Sequence, residues 1–471
     1  MTEKVSKLMK DVPAVRWTAL VLLASMMFFA YMFVDVLSPL QELLQTTKGW
    51  SPEAYGRFAG SEPFLNVFVF FLIFAGIILD KMGVRFTALL SGAVMVIGAS
   101  IKYYAVSPAF VGSGVESFMN NFMNLPNTAW NITPFYDGMP GSAKLAAIGF
   151  MLFGCGVEMA GITVSRGIVK WFQGKEMALA MGIEMAIARV GVAAIVLISP
   201  RLAKMGLVPD VSKPVLFCSI LILVGLICFI IYFFMDKKLE KQMGESGEEP
   251  DEPFKIKDIG KLFTSKTFLI VSFLCVLYYS AIFPFQKYAI NMLQCNLGIA
   301  AEDAGNIFFF FPIGAAAITP FLGSYLDRKG KGATMLIFGA VLMIICHLIF
   351  AFVHLNTFIA LTAIVFLGIS FSLVPAALWP SVPKLVENRY LGSAYSVIFW
   401  IQNIGLYAVP MIIGNVLAAT NPGVTDPLKY NYTVPMLVFV SFGVVALVLA
   451  FWLKAEDKKK GYGLELPNIQ K

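Results

Sequence analysis

Long apolar stretches recur along the whole chain, each near the ~20 residues a helix needs to cross ~30 Å of hydrocarbon. They fall at about 17–40, 58–79, 86–105, 144–169, 177–203, 214–235, 267–289, 303–326, 333–353, 357–383, 391–417 and 433–453. Twelve crossings place both chain ends on one side. Two polar connections stand out. The segment 236–266, DKKLEKQMGESGEEPDEPFKIKDIGKLFTSK, carries charge of both signs and follows the sixth stretch. It predicts a linker between two six-helix bundles, 17–235 and 267–453, with tails at 1–16 and 454–471. The segment 106–143, rich in Gly, Pro and Asn, predicts a partly ordered cap over the first bundle.

Composition turns that pattern into a membrane assignment. Of 471 residues, 58% are hydrophobic and 14% charged. Single soluble cores stop growing near ~250–300 residues, whereas a bilayer is itself an apolar solvent. The expected class is an all-α membrane protein of twelve transmembrane helices in two pseudo-symmetric bundles. Lysine and arginine orient it. Twenty-six lie on the side of the termini and linker, and eight on the other: Lys48, Arg57, Lys144, Arg201, Lys204, Lys213, Lys287 and Lys429. The positive-inside rule therefore predicts cytoplasmic termini. The net charge of +7 is spread over short loops and asks for no nucleic acid. Six scattered cysteines without a CxxC and two histidines, His347 and His354, suggest no metal site, disulfide framework or catalytic constellation. No P-loop is present, and no cofactor or enzymatic activity is expected.

An internal repeat carries the first functional signal. After the second stretch the chain reads Gly76-Ile-Ile-Leu-Asp80-Lys81-Met-Gly83-Val-Arg85. After the eighth it reads Gly323-Ser-Tyr-Leu-Asp327-Arg328-Lys-Gly330-Lys331. The shared pattern needs a glycine for close helix contact, an aspartate at a helix end and a tight basic turn. Such an aspartate accepts hydrogen bonds from a helix N-terminus or pairs with an arginine, latching one side of the molecule. Gly76, Asp80, Arg85, Gly323, Asp327 and Arg328 are thus candidate latch residues. The repeat resembles the signature of the major facilitator superfamily, as does Arg166-Gly-Ile-Val-Lys-Trp171-Phe-Gln-Gly174-Lys-Glu176 between the fourth and fifth stretches. That resemblance implies a secondary transporter whose substrate site lies near the membrane midplane.

Ionisable residues inside spans are costly and point to function. They are Asp35, Glu62, Lys102, Glu158, Glu184, Arg189 and Lys287. Glu158 and Arg189 lie 11 and 12 residues from the linker-side ends of adjacent helices, roughly 16–18 Å deep at 1.5 Å per residue. They form either a structural ion pair or an opened pair for a zwitterion, with Arg189 taking a carboxylate and Glu158 an ammonium. Asp35 and Lys287 lie toward the other side on equivalent helices of the two halves, near Pro39 and Pro284. They pair across an outer gate or join the site. Lys102 is expected to snorkel, Glu62 fits either role, and Glu184 fits helix packing. The second half offers Tyr278, Tyr279, Gln286, Trp379, Trp400, Gln402 and Asn403.

The runs Gly156-Val-Glu158, Met185-Ala-Ile-Ala-Arg189-Val-Gly191, Phe283-Pro284-Phe285, Leu378-Trp379-Pro380 and Ile401-Gln402-Asn403-Ile-Gly405-Leu406 narrow the resemblance. In that order they are similar to the dipeptide-transporter branch of the superfamily, the lysosomal dipeptide uniporters of animals. In that branch a glutamate on the fourth helix and an arginine on the fifth engage the peptide's charged termini. The matching residues are Glu158 and Arg189. The N-terminal tail carries no acidic dileucine signal, which fits a prokaryotic relative in a plasma membrane. The resemblance implies a monomeric transporter of dipeptides working by alternating access, with protons as a candidate coupling ion. The alternative is a proton-coupled carrier of small monocarboxylate-type anions.

Overall fold

The computed structural model describes residues 8–128, 130–172, 175–243, 260, 262–387 and 391–467. Eleven helices among them are long and apolar enough to cross a membrane. One of these, Phe71–Val106, is two crossings joined at Gly83, whose φ of 74° and ψ of 168° are not helical. Only glycine takes such a backbone freely, and Gly330 in the repeat has φ 72°. Dividing Phe71–Val106 at Gly83 restores the twelve crossings.

In chain order these are α1 (Pro13–Lys48) and α2, built from Pro52–Gly60, Phe64–Phe68 and the chain from Phe71 to Gly83. After Gly83 comes α3, ending at Val106, then α4 (Gly141–Phe172), α5 (Met177–Ala203) and α6 (Ser212–Met243). The second half holds α7 (Lys266–Leu297), α8 (Ala301–Lys329), α9 (Gly332–Phe352), α10 (Thr357–Leu385), α11 (Leu391–Thr420) and α12 (Thr433–Lys460). The boundaries at 235 and 453 move outward, since α6 continues to Met243 and α12 to Lys460. Most of the predicted linker, 244–259 and 261, lies outside the described residues. The 106–143 segment includes a short helix, Gly114–Asn121.

Each helix buries one stripe and leaves another apolar. On α6, Cys218, Ile222, Gly225, Phe229 and Tyr232 are buried, while Ile220, Leu223, Ile227, Ile230 and Phe234 are exposed. Large apolar groups at three- and four-residue spacing on an exposed face require hydrocarbon around them. Between helices, small residues permit backbone approach. A Cβ on Gly98 of α3 would stand 2.5 Å from the Phe153 nitrogen of α4.

The two halves meet on the side away from the linker, called here the far face. A Cβ on Gly56 of α2 would lie 2.6 Å from the Pro410 carbonyl of α11, and one on Gly305 of α8 would lie 2.5 Å from that of Val196 on α5. Tyr55 donates to the Lys287 carbonyl at 2.8 Å, Gln294 to Glu42 at 2.7 Å, and Lys204 pairs with Glu302 at 2.8 Å. At the linker face, every ion pair between described residues joins groups of one half. Examples are Arg16–Glu176, Lys170–Asp236 and Lys266–Glu456. These contacts thus join the two halves at the far face, and the linker-face ion pairs between described residues stay within one half.

Candidate functional site

Glu158 is half-buried on α4 and hydrogen-bonded by Asn403 of α11, so it faces the opposite half. Arg189, on α5, also reaches across. Its guanidinium lies 4.5 Å from the ring centroid of Phe371 on α10, a cation–π geometry strengthened where water is excluded. Tyr279 of α7 and Tyr31 of α1 are the electrostatic neighbours of Arg189. The ion pairs among the described residues include neither Glu158 nor Arg189. The structural-pair reading therefore fails in this conformation, and the two charges stand apart.

The second half supplies an aromatic wall. Tyr279 stacks on Phe283 at 5.4 Å, meets Phe371 edge-on at 6.0 Å and accepts a hydrogen bond from Trp379 at 3.2 Å. Trp379 in turn stacks on Phe399 at 4.9 Å. One wall is thus acidic, with Glu158, Glu62 and Glu184 all near Tyr31. The other is aromatic, and Arg189 stands against it. This arrangement can hold a small molecule by two opposite charges and flat faces between them.

Pattern comparison adds the decisive observation: the major facilitator superfamily model matches residues 23–410, with a second match over 288–467. The chain belongs to the major facilitator superfamily. Among curated proteins it is similar to the lysosomal dipeptide transporter MFSD1 of mouse, 28% identical over 280 residues, 58% of this chain and 59% of that protein. The zebrafish protein of the same name is 30% identical over 58% of this chain and 60% of its own length. The chain thus spans about three-fifths of these relatives. Superfamily structures share its fold. A bacterial homologue of the human lysosomal transporter Spinster, inward-facing and occupied, superposes with a TM-score of 0.68 at 15% identity, covering 94% of this chain and 98% of the other. A mutant of the nucleoside transporter NupG gives 0.66 at 12% identity, covering 93% and 99%.

The remaining candidates divide. Asp35 and Lys287 form an ion pair of 2.7 Å between α1 and α7, buried at the far-face closure. The pairing expectation, rather than a place on the cavity wall, describes them here. Tyr278 is a correction. Its hydroxyl donates to the Leu336 carbonyl of α9, and the residue is fully buried. Successive residues on a helix point ~100° apart, so Tyr279 faces the aromatic wall while Tyr278 turns into the bundle. Gln402 is buried and accepts from Cys275 within the second half. Lys102 is a second correction, because it does not snorkel. It is fully buried, with its ammonium 4.4, 5.1 and 4.1 Å from the ring centroids of Phe33, Phe58 and Phe150. It donates to the Phe33 carbonyl at 3.2 Å.

The superfamily repeat sits at the linker face in both halves. Asp80 is 3.4 Å from Arg166, and Arg85 pairs with Asp236 at 3.9 Å and with Glu240. Asp327 neighbours Lys384, and Arg328 is exposed. The expected tight contact at Gly76 and Gly323 is absent, since a Cβ on either meets nothing within 4 Å. Both therefore have open space beside them in this conformation. Gly330 instead lies under the tail: the Lys331 and Gly332 amides donate to the Glu465 and Leu464 carbonyls at 2.9 and 3.0 Å. Sequence reasoning missed Phe371 and Tyr31 as site neighbours. Each is one aromatic among many, and no local signal marks which lie beside Arg189.

Proposed function

We propose that the protein carries dipeptides across the membrane by alternating access, with its linker face toward the cytoplasm. The observation that carries this reading is that Glu158 and Arg189, opposite charges on adjacent helices with Tyr31 as a common neighbour, each reach the opposite half and share no ion pair with any described residue. A zwitterion supplies the missing partner to each: its ammonium meets Glu158 and its carboxylate takes the bidentate fork of Arg189. The aromatic wall of Tyr279, Phe371 and Trp379 accepts varied side chains, because stacking asks for a flat or apolar surface rather than one hydrogen-bond pattern. The curated relatives are named as dipeptide transporters, which supports the same substrate class. Contacts between the halves at the far face, with linker-face ion pairs kept within each half, correspond to the state that exchanges substrate with the cytoplasm. The lysine and arginine bias supports that orientation.

The test is a cycle of Glu158→Gln against N-acetylation of the dipeptide, reading affinity on folded protein. If Glu158 binds the amine, each change alone weakens binding tenfold or more and the two together cost little beyond either one. Full additivity would refute the contact and favour a carrier of small organic anions, for which only the Arg189 end matters. Arg189→Lys is expected to fold and to lose affinity, because an ammonium cannot reproduce the planar fork.

A further inference from the structure

Glu62 is a buried-span carboxylate that the proposed mechanism does not yet use. It lies in α2 at the turn between Pro52–Gly60 and Phe64–Phe68, half-buried, against α4. A Cβ on Gly154 of α4 would collide with the Glu62 carbonyl oxygen and stand 3.0 Å from the Glu62 Cγ, so glycine there lets residue 62 lie directly against α4. Glu158 is one helical turn along α4 from Gly154, and Glu62 is its electrostatic neighbour. The charged and titratable groups that act electrostatically with Glu62 are Tyr31 and Asp35 on α1, Lys102 on α3, Glu158 on α4 and Lys287 on α7, and Tyr407 of α11 packs against Phe64 beside it. Lys287 is held by Asp35, and Lys102 by three phenylalanine rings and a carbonyl. No ion pair between described residues includes Glu62. Two carboxyl groups thus share one region, and among the described residues neither is in an ion pair with a cation. A second, independent feature stands one turn further along α2. Asn66 is 2% exposed, and neither its amide nitrogen nor its oxygen has a partner. Its segment packs between α4 and α11, the helices of Glu158 and Asn403. An unpartnered primary amide complements a peptide group, which offers one N–H and one C=O.

We propose that Glu62 and Asn66 complete the amine end of the site: Glu62 shares the substrate's ammonium with Glu158, and Asn66 takes the adjoining peptide group. This rests on the dipeptide reading above. The ammonium has three donors, and the four oxygens of the two carboxylates can accept all three without water. Specificity follows from the same geometry. A ligand with a free amine next to an amide is favoured over a simple carboxylate.

Binding of Ala-Ala, N-acetyl-Ala-Ala and the ester analogue of Ala-Ala, which lacks the peptide N–H, tests this on the purified full chain. Glu62→Gln is expected to weaken Ala-Ala at least tenfold and N-acetyl-Ala-Ala less than twofold. Glu62→Asp keeps the charge but retracts it, and is expected to fall between. Asn66→Leu is expected to abolish the preference of the wild type for Ala-Ala over its ester. An equal loss for every ligand would assign Glu62 a positioning role and overturn the proposal, as would unchanged affinity for Ala-Ala in Glu62→Gln. If the wild type binds no dipeptide, the reading under Proposed function falls with it. If the wild type binds and only the variants behave like wild type, the further inference alone fails.

Discussion

Lys287→Met should open the far face. The Lys287 ammonium lies 2.7 Å from Asp35 and donates to the Val34 carbonyl at 3.1 Å, with 11% and 7% of the two side chains exposed. Asp35 also accepts from Ser38 at 3.0 Å. This bridge links α1 to α7, and therefore one half to the other, only while the far face is shut. Removing one partner of a buried pair leaves the other charge unpaired, a cost of about 3–5 kcal/mol. When the gate opens, water reaches Asp35 and most of that cost disappears. The closed state alone is therefore penalised, and at 1.4 kcal/mol per tenfold the equilibrium shifts by roughly two to three decades.

Spin labels at two exposed far-face positions, Thr47 at the end of α1 and His354 after α9, would report the opening as a longer distance population. The double variant Asp35→Asn, Lys287→Met should lie closer to wild type than Lys287→Met does. Replacing a whole buried pair by neutral groups is often near neutral, while breaking it is not. A Lys287→Met protein with the wild-type distance distribution would refute the reasoning. So would a double variant that opens as far as the single ones summed, since that pattern leaves no coupling between the two residues.

Two further outcomes follow from the linker face. Asp80→Asn removes a 3.4 Å pair with Arg166 that is largely in water, so thermal stability should change by less than ~1 kcal/mol. The same labels moved to the linker face should nonetheless show a more open population, and loss of ligand binding in the folded variant would contradict a latch. Asp236 is fully buried and accepts from Lys170 at 2.8 Å, Trp171 at 2.9 Å and Tyr232 at 3.3 Å. Asp236→Asn leaves Lys170 without its close carboxylate and should cost about 3 kcal/mol in unfolding measurements. A melting temperature equal to wild type would show that Glu240, 3.2 Å from Lys170, suffices alone.

The twelve crossings were legible because hydrocarbon sets both their length and their composition, and a helix satisfies its own backbone locally. The turns of the repeat were legible for a similar local reason, since Gly83 and Gly330 both take positive φ. Charged positions were also visible, because burying a charge is costly wherever it occurs. What each charge pairs with is a different kind of information. The rings around Lys102 come from positions 33, 58 and 150, and nothing near position 102 announces them. The break in α2 has the same character. Phe70 has φ 54°, an unfavourable backbone for a bulky residue. It is accommodated by Trp400 of α11, which stacks on its ring at 5.6 Å and donates to the Val67 carbonyl at 3.0 Å. A tryptophan 333 positions away from that carbonyl thus supplies the hydrogen bond that a continuous helix would have supplied locally. The break lies between the far-face closure, through Gly56, and the linker-face repeat, through Asp80. Because its stabilising partner belongs to the other half, the local shape of α2 is tied to how the halves meet. That coupling arises only when two distant segments fold against each other, which is why hydrophobic pattern and charge placement reveal the crossings and the charged positions but not the joint between them.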